Sequence, residues 1–275
     1  MSIKSRTNRA AAALIPLLAL LVLASACGKK SAEIAPELSS SDEALYRLGE
    51  EVIKKDAEKG ILYLRQVIDS FPKSFYAQRA KILIADAYFR KGDESNMILA
   101  AAEYREFIRA YPYSPSAAYS QYQIAMTFYK KILKPGRDQS KTIQALAEFK
   151  KVITDYPASD QAKAAQDRIK DCEERLAGHN AEIAIGYCKR KAYRASVNRL
   201  TEIMTTYPAY SRLDEVYFYL GEAHLRMNLL DQAAPYFTKV LSDYPATKLA
   251  KTAAKRLTEI GSRKAAQKTV PDKKD

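Results

Sequence analysis

Tyr217-Phe218-Tyr219-Leu220-Gly221-Glu222-Ala223-His224, followed by Ala233, Phe237, Val240 and Pro245, decides how this chain is read. Tyr217, Leu220, Gly221 and His224 share one face of a helix, because residues three and four apart stand above one another. Ala233, Phe237 and Val240 do the same on a second helix. The small residues Gly221 and Ala233 fall where two antiparallel backbones must approach. Pro245 stops the second helix, since proline lacks the amide donor and clashes with the preceding turn. A single hairpin of this kind cannot bury its own apolar face, so copies must stack.

The copies are present. Aromatic-proline pairs stand at Phe71-Pro72, Tyr111-Pro112, Tyr156-Pro157, Tyr207-Pro208 and Tyr244-Pro245, with successive prolines 40, 45, 51 and 37 residues apart. Each pair closes a helix of one design: Leu64 and Val67, Tyr104 and Phe107, Phe149 and Val152, Leu200 and Ile203, Phe237 and Val240. A partner helix lies upstream, as in Ile84 to Tyr88 and Ile124 to Phe128. The unit resembles the tetratricopeptide repeat in its Leu-Gly pair, its Ala-x3-Phe spacing and its terminal proline. The expectation is an all-α, tetratricopeptide-repeat superhelical solenoid of about five repeats.

The first 26 residues stand apart from the repeats. Lys4, Arg6 and Arg9 precede an apolar run from Ala10 to Leu23, too short to span a bilayer comfortably. Ala24, Ser25 and Ala26 then precede Cys27. This is the pattern of a secretory signal. It also resembles the bacterial lipoprotein signal, although Ala24 stands where an aliphatic residue is usual. That resemblance implies cleavage after residue 26 and a covalent lipid on Cys27. Gly28, rather than an aspartate, implies sorting to the outer membrane, lipid-anchored on its periplasmic face. Residues 27–41 read as a flexible tether. Losing the leader's three positive charges takes the net charge from +13 to +10. For a secreted, tethered chain this excess suits anionic headgroups, acidic partners or a merely solvated surface, and it is that location, not the charge, that argues against nucleic acid.

Repeats one to three occupy 42–157, with Asp42 read as the first N-cap. Repeat one carries Gly60 where alanine is usual. The turns of repeat two, Gly92 to Asn96, and of repeat three, Leu133 to Ser140, both read as longer than the norm. Residues 158–261 hold two more repeats and a capping helix from about 247, and 262–275 read as a disordered basic tail. Ala162, Ala165, Ile169, Cys172, Leu176, His179, Ile183 and Tyr187 keep helical phase straight through Gly178. One helix of roughly 50 Å is therefore expected to link the N- and C-terminal repeats, with Gly178 costing about 1 kcal/mol. Cys172 and Cys188 would then lie about 24 Å apart along it, outside disulfide reach.

Chemistry-bearing motifs are sparse. No metal-ligand spacing, phosphate loop or nucleophile elbow appears. His179 and His224 fall on apolar stripes, where packing is the better reading. No enzyme, metal or cofactor is expected beyond the lipid on Cys27. The informative residue is tyrosine, with 19 copies and no tryptophan. First helices of such solenoids line the concave face, where tyrosine suits an extended peptide. Tyr76, Tyr113, Tyr119 and Tyr122 are the groove candidates, and at Tyr119 and Tyr122 the groove and packing readings stand level.

Three local sequences carry a more specific resemblance: Phe107 to Pro115 (Phe-Ile-Arg-Ala-Tyr-Pro-Tyr-Ser-Pro), Arg137-Asp138-Gln139 in the long turn, and Val197-Asn198-Arg199. Together with the signal and the repeats, they resemble the BamD family of outer-membrane protein assembly lipoproteins, up to about Gly261. The resemblance implies a non-enzymatic scaffold of the BAM complex. Its N-terminal repeats would receive peptides of unfolded outer-membrane β-barrel proteins. Its C-terminal repeats would dock a POTRA domain of BamA through Asn198 and Arg199, beside the other BAM lipoproteins. The alternatives are another tetratricopeptide envelope lipoprotein, serving pilus assembly or cell-division and cell-wall coordination, and an enzyme acting on the cell wall. A coordinator of the division type would carry a coiled-coil N-terminus, which is missing here, and the enzyme lacks an acid/base or nucleophile constellation.

Overall fold

In the computed structural model, residues 41–269 are described. The leader, Cys27, the tether up to residue 40 and residues 270–275 lie outside the described residues. Eleven helices occupy the described part. In order they are α1 (Asp42–Val52), α2 (Ala57–Ser70), α3 (Phe75–Lys91), α4 (Glu94–Ala110), α5 (Ser116–Tyr129), α6 (Ser140–Asp155), α7 (Asp160–Lys189), α8 (Tyr193–Thr206), α9 (Leu213–Arg226), α10 (Leu230–Asp243) and α11 (Ala250–Thr269). Each packs on its neighbours in sequence, and first helices also touch each other, α1 on α3, α5 on α7 and α7 on α9. This is the tetratricopeptide solenoid that the repeats require.

One junction is repeated five times. Phe71, Tyr111, Tyr156, Tyr207 and Tyr244 cap α2, α4, α6, α8 and α10 with φ between −129° and −136° and ψ between 53° and 62°. A following proline bars the helical region to the residue before it, so the chain leaves the helix at the same angle each time. A hydroxyl residue then stands two positions past four of the prolines. Ser74, Ser114, Ser159 and Thr247 each accept a backbone N–H at the start of the next helix. Such caps satisfy amide donors that a helix start leaves free.

Small residues set the close approaches. A Cβ on Gly60 would fall 2.4 Å from Ile53 Cα, and one on Gly221 2.8 Å from the Phe237 ring. Glycine is thus required where α1 meets α2 and where α9 meets α10.

The long helix is present as expected, with α7 running unbroken for 30 residues, about 45 Å. It serves two repeats in succession. Ala165 and Cys172 close the core of repeat three against Phe149 and Val152. Ala177, Ala181 and Ala184 then form the core of repeat four with Leu200 and Ile203. Cys172 and Cys188 are both free and buried.

Three boundaries differ from the sequence reading. Ser41, not Asp42, caps α1, because its Oγ accepts the Ala44 N–H at 3.3 Å. The turn of repeat two is only Gly92 and Asp93, since the Asp93 side chain caps α4 and draws Glu94 to Asn96 into it. The last helix begins at Ala250 and continues through Gly261 to Thr269. Part of the supposed tail is therefore helix, held to repeat five by Lys264 on Asp231 at 2.5 Å and Arg263 on Asn228 at 3.0 Å.

Candidate functional site

Two surfaces follow from this arrangement. The first lies on the first helices of repeats one to three. A cavity of about 420 Å³ opens there between α1, α3 and the start of α5, lined by Tyr46, Phe75, Arg79, Ile82, Asp86 and Pro115 among others. Phe75 is 65% exposed. The Arg79 guanidinium stands 5.2 Å from the Tyr46 ring and 5.8 Å from the Phe75 ring. Aromatic faces, a guanidinium and an aliphatic floor can hold an extended chain with aromatic side chains.

The structure redistributes the tyrosine candidates. Tyr76 is half-buried against Tyr46, ring centroids 5.3 Å apart. Tyr113 is 98% exposed, on the turn before α5, and outside the cavity lining. Tyr119 is packing: its hydroxyl donates to Asp86 Oδ1 at 2.8 Å, and its ring meets Tyr104 edge-on. Tyr122 packs against Phe149 on α6, 5.4 Å between centroids. Both rings stand half-buried against neighbouring helices, which favours packing over the groove at these two. Phe75 and Arg79 are the residues missed. A signal was available: Phe75 and Tyr76 are consecutive, so one must leave the core stripe, and Arg79 lies one turn further on the same face.

Asp86 links the groove to the core. Tyr104 also donates to its Oδ1, at 2.5 Å. Burial, with the Asp86 carboxylate beside it, pushes the Tyr119 hydroxyl up to about 12 and that of Tyr104 upward as well.

In the long turn, Arg137 and Asp138 are exposed while Gln139 is buried. Gln139 Nε2 donates to the Lys134 carbonyl at 2.9 Å and the Arg137 carbonyl at 3.1 Å, and its Oε1 accepts from Thr142 at 2.7 Å. Gln139 thus shapes the turn from inside and presents nothing to a partner. The turn itself leans on the long helix, where His179 Nδ1 donates to the Pro135 carbonyl at 2.5 Å. His224 is buried, stacked on Tyr236 and directed at the Leu220 carbonyl.

The second surface is the turn from α7 to α8. Lys189, Arg190, Lys191 and Arg194 are exposed there, and Asn198 and Arg199 follow on α8. Tyr187 lies under two guanidinium groups, Arg190 at 5.3 Å and Arg199 at 5.8 Å from its ring. Such stacking orients an arginine without occupying its hydrogen-bonding fork. Among the described residues, no carboxylate pairs with Arg199. The surface therefore offers fixed, unneutralised positive charge.

Residues 39–236 match the family described as YfiO, outer membrane lipoprotein. The outer membrane protein assembly factor BamD of Caulobacter vibrioides is 26% identical over 223 residues, covering 80% of this chain and 72% of that protein. BamD of Haemophilus influenzae is 26% identical, covering 78% and 84%, and BamD of Rickettsia prowazekii 28% identical, covering 83% and 89%. Among solved structures, the TPR2AB domain of yeast Sti1 in its complex with pHSP90 has a TM-score of 0.46 at 14% identity, covering 80% of this chain and 83% of that one.

Proposed function

Since this chain belongs to the YfiO family of outer membrane lipoproteins, and so to outer-membrane protein assembly, we propose that it is a non-enzymatic scaffold with two working surfaces. The groove of Phe75, Arg79 and Tyr46 receives extended segments of unfolded β-barrel proteins. The turn from α7 to α8 docks BamA, with Arg199 reaching a carboxylate on its POTRA domain. A lipid on Cys27 holds the scaffold at the periplasmic face of the outer membrane, beside the other lipoproteins of the complex.

The observation that carries this reading is the division of the solenoid. An aromatic groove sits on the first helices of the N-terminal repeats, and an unpaired, stacked arginine sits on the C-terminal ones. Arginine pairs bidentately with carboxylates, which gives an interface geometric specificity. The test is photo-crosslinking in intact cells, with the probe amino acid at position 75 or 199 and capture read by mass spectrometry. Nascent barrel proteins at 75 and a POTRA-bearing barrel protein at 199 are expected. Pilus or cell-wall proteins at both positions would overturn the assignment of surfaces.

A further inference from the structure

The fourth junction breaks the rule that the others obey. Where Ser74, Ser114, Ser159 and Thr247 stand two residues past their prolines, Tyr210 stands two past Pro208. α9 accordingly begins without a side-chain cap. Glu174 of α7 accepts the Ser211 N–H at 3.0 Å in place of the missing cap, and the Tyr210 ring packs in the core of repeat four, which leaves only its hydroxyl without a role in the fold. Tyr210 is only 6% exposed. Its hydroxyl makes no hydrogen bond among the described residues. It lines a cavity of about 370 Å³ between α7 and α9, together with Gly178, Glu182, Gly186, Lys189 and Tyr219.

The floor of that cavity is equally unusual. Gly178, Glu182, Gly186 and Lys189 lie along one face of the long helix, at helical spacing. A glycine inside a helix costs about 1 kcal/mol relative to alanine. Yet a Cβ on Gly178 would come no nearer than 3.7 Å to Tyr210 Oη, and one on Gly186 no nearer than 3.6 Å to the mobile end of Arg190. Packing within the chain does not require either glycine, in contrast to Gly60 and Gly221. Their effect is to bare the helix backbone beneath the cavity. The charges beside them are free as well, because Glu182 and Lys189 have no ion-pair partner among the described residues, whereas Arg212 and Glu215 pair with each other.

We propose that this trough is a second peptide site, separate from the Phe75 groove, and that it takes an extended segment carrying a basic and an acidic side chain three residues apart. The spacing follows from geometry. Glu182 and Lys189 are seven residues apart on the helix, about 10 Å at 1.5 Å per residue. A chain extended as polyproline II covers that distance in three residues at about 3.1 Å each and, with three residues per turn, returns both side chains to one face. The ligand's basic side chain meets Glu182 and its acidic one meets Lys189. Its backbone crosses Gly186, and Tyr210 Oη takes up a peptide group that no residue of this chain satisfies.

The test uses the full mature chain in detergent and fluorescence anisotropy of a labelled hexapeptide, Ala-Lys-Val-Tyr-Glu-Ala. Two controls carry lysine, or glutamate, at both charged positions, since a simple reversal would bind with its direction reversed. The mixed peptide is expected to bind about fivefold tighter than either control, the scale of a surface ion pair. Glu182→Lys should shift preference to the double-glutamate peptide. Gly186→Leu should weaken the mixed peptide about tenfold by filling the trough, and its circular dichroism should stay helical, because leucine favours helix over glycine. Tyr210→Phe, which keeps the ring, should weaken it as well. Equal affinity for all three peptides, no saturable binding up to about 1 mM, or indifference to Glu182→Lys and Gly186→Leu would overturn the proposal. The Phe75 groove is probed at its own position, so failure here leaves that reading intact.

Discussion

Tyr119 on α5 donates a 2.8 Å hydrogen bond to Asp86 on α3, joining the first helices of repeats two and three. Tyr104 on α4 donates to the same oxygen. One carboxylate thus ties three helices across a repeat boundary, directly behind the Phe75 groove. Removing it should be felt in both stability and ligand affinity. Asp86→Ala leaves the buried Tyr104 hydroxyl and the half-buried Tyr119 hydroxyl without this acceptor and should cost about 2–6 kcal/mol, counting roughly 1–3 for each unsatisfied group. Asp86→Asn keeps an acceptor and should cost less. Urea unfolding of the two variants checks the order, and equal losses would refute the shared-acceptor account.

The same cluster predicts an alkaline weakness. The hydroxyl of Tyr119 is held near 12 in the fold, above the value of about 10 in an unfolded chain. The native state therefore keeps a proton that the unfolded state releases. The contribution is fully present below about pH 10 and is lost as pH rises through about 12. The urea midpoint should fall over that interval, and Tyr119→Phe should flatten the fall. A midpoint equally steep in the variant would exclude Tyr119 as its source.

Glycines on the same solenoid should respond in opposite directions to alanine. Gly178→Ala meets only ordinary contacts at 3.7 Å or more and should stabilise the long helix by about 1 kcal/mol. Gly60→Ala drives a methyl group against the Ile53 backbone and should destabilise by roughly 1–3 kcal/mol through overpacking. Thermal melting of the two variants decides this, and the same sign for both would contradict the packing described.

Cys172 should be chemically silent in the native state. Burial pushes its thiol up to about 12, and the thiolate is the reactive form. Ellman's reagent at about pH 8 should leave Cys172 unmodified until denaturant is added. Prompt reaction without denaturant would mean that the core of repeat three opens readily.

The last helix should depend on one clamp. Arg256 grips Glu222 of α9 through Nε at 2.5 Å and Nη2 at 3.3 Å. Glu222 is buried. Arg256→Ala leaves that carboxylate with only Arg226 at 3.8 Å and should cost about 3 kcal/mol. Hydrogen exchange should then rise first in 250–269, and uniform exchange across the solenoid would argue against a local clamp.

The order of helices, the five junctions and the unbroken α7 were legible because their causes are local. Helical period is written in residue spacing, and a proline dictates the backbone of the residue before it whatever surrounds it. The sequence therefore determined by itself that this chain is a stack of helix pairs joined by one long helix. Which side chains face outward was decided only by the tertiary structure. Tyr119, Tyr122 and Phe75 all sit on first helices, and no spacing rule separates them. Asp86 draws Tyr119 inward, Phe149 covers Tyr122, and Phe75 finds no partner helix and stays open. The same holds for the end of the chain, where Asp231 and Asn228, more than thirty residues away in sequence, engage Lys264 and Arg263 and extend α11 past Gly261. Contacts between residues distant in sequence leave no period to read, and they are what decide which side chains stay exposed.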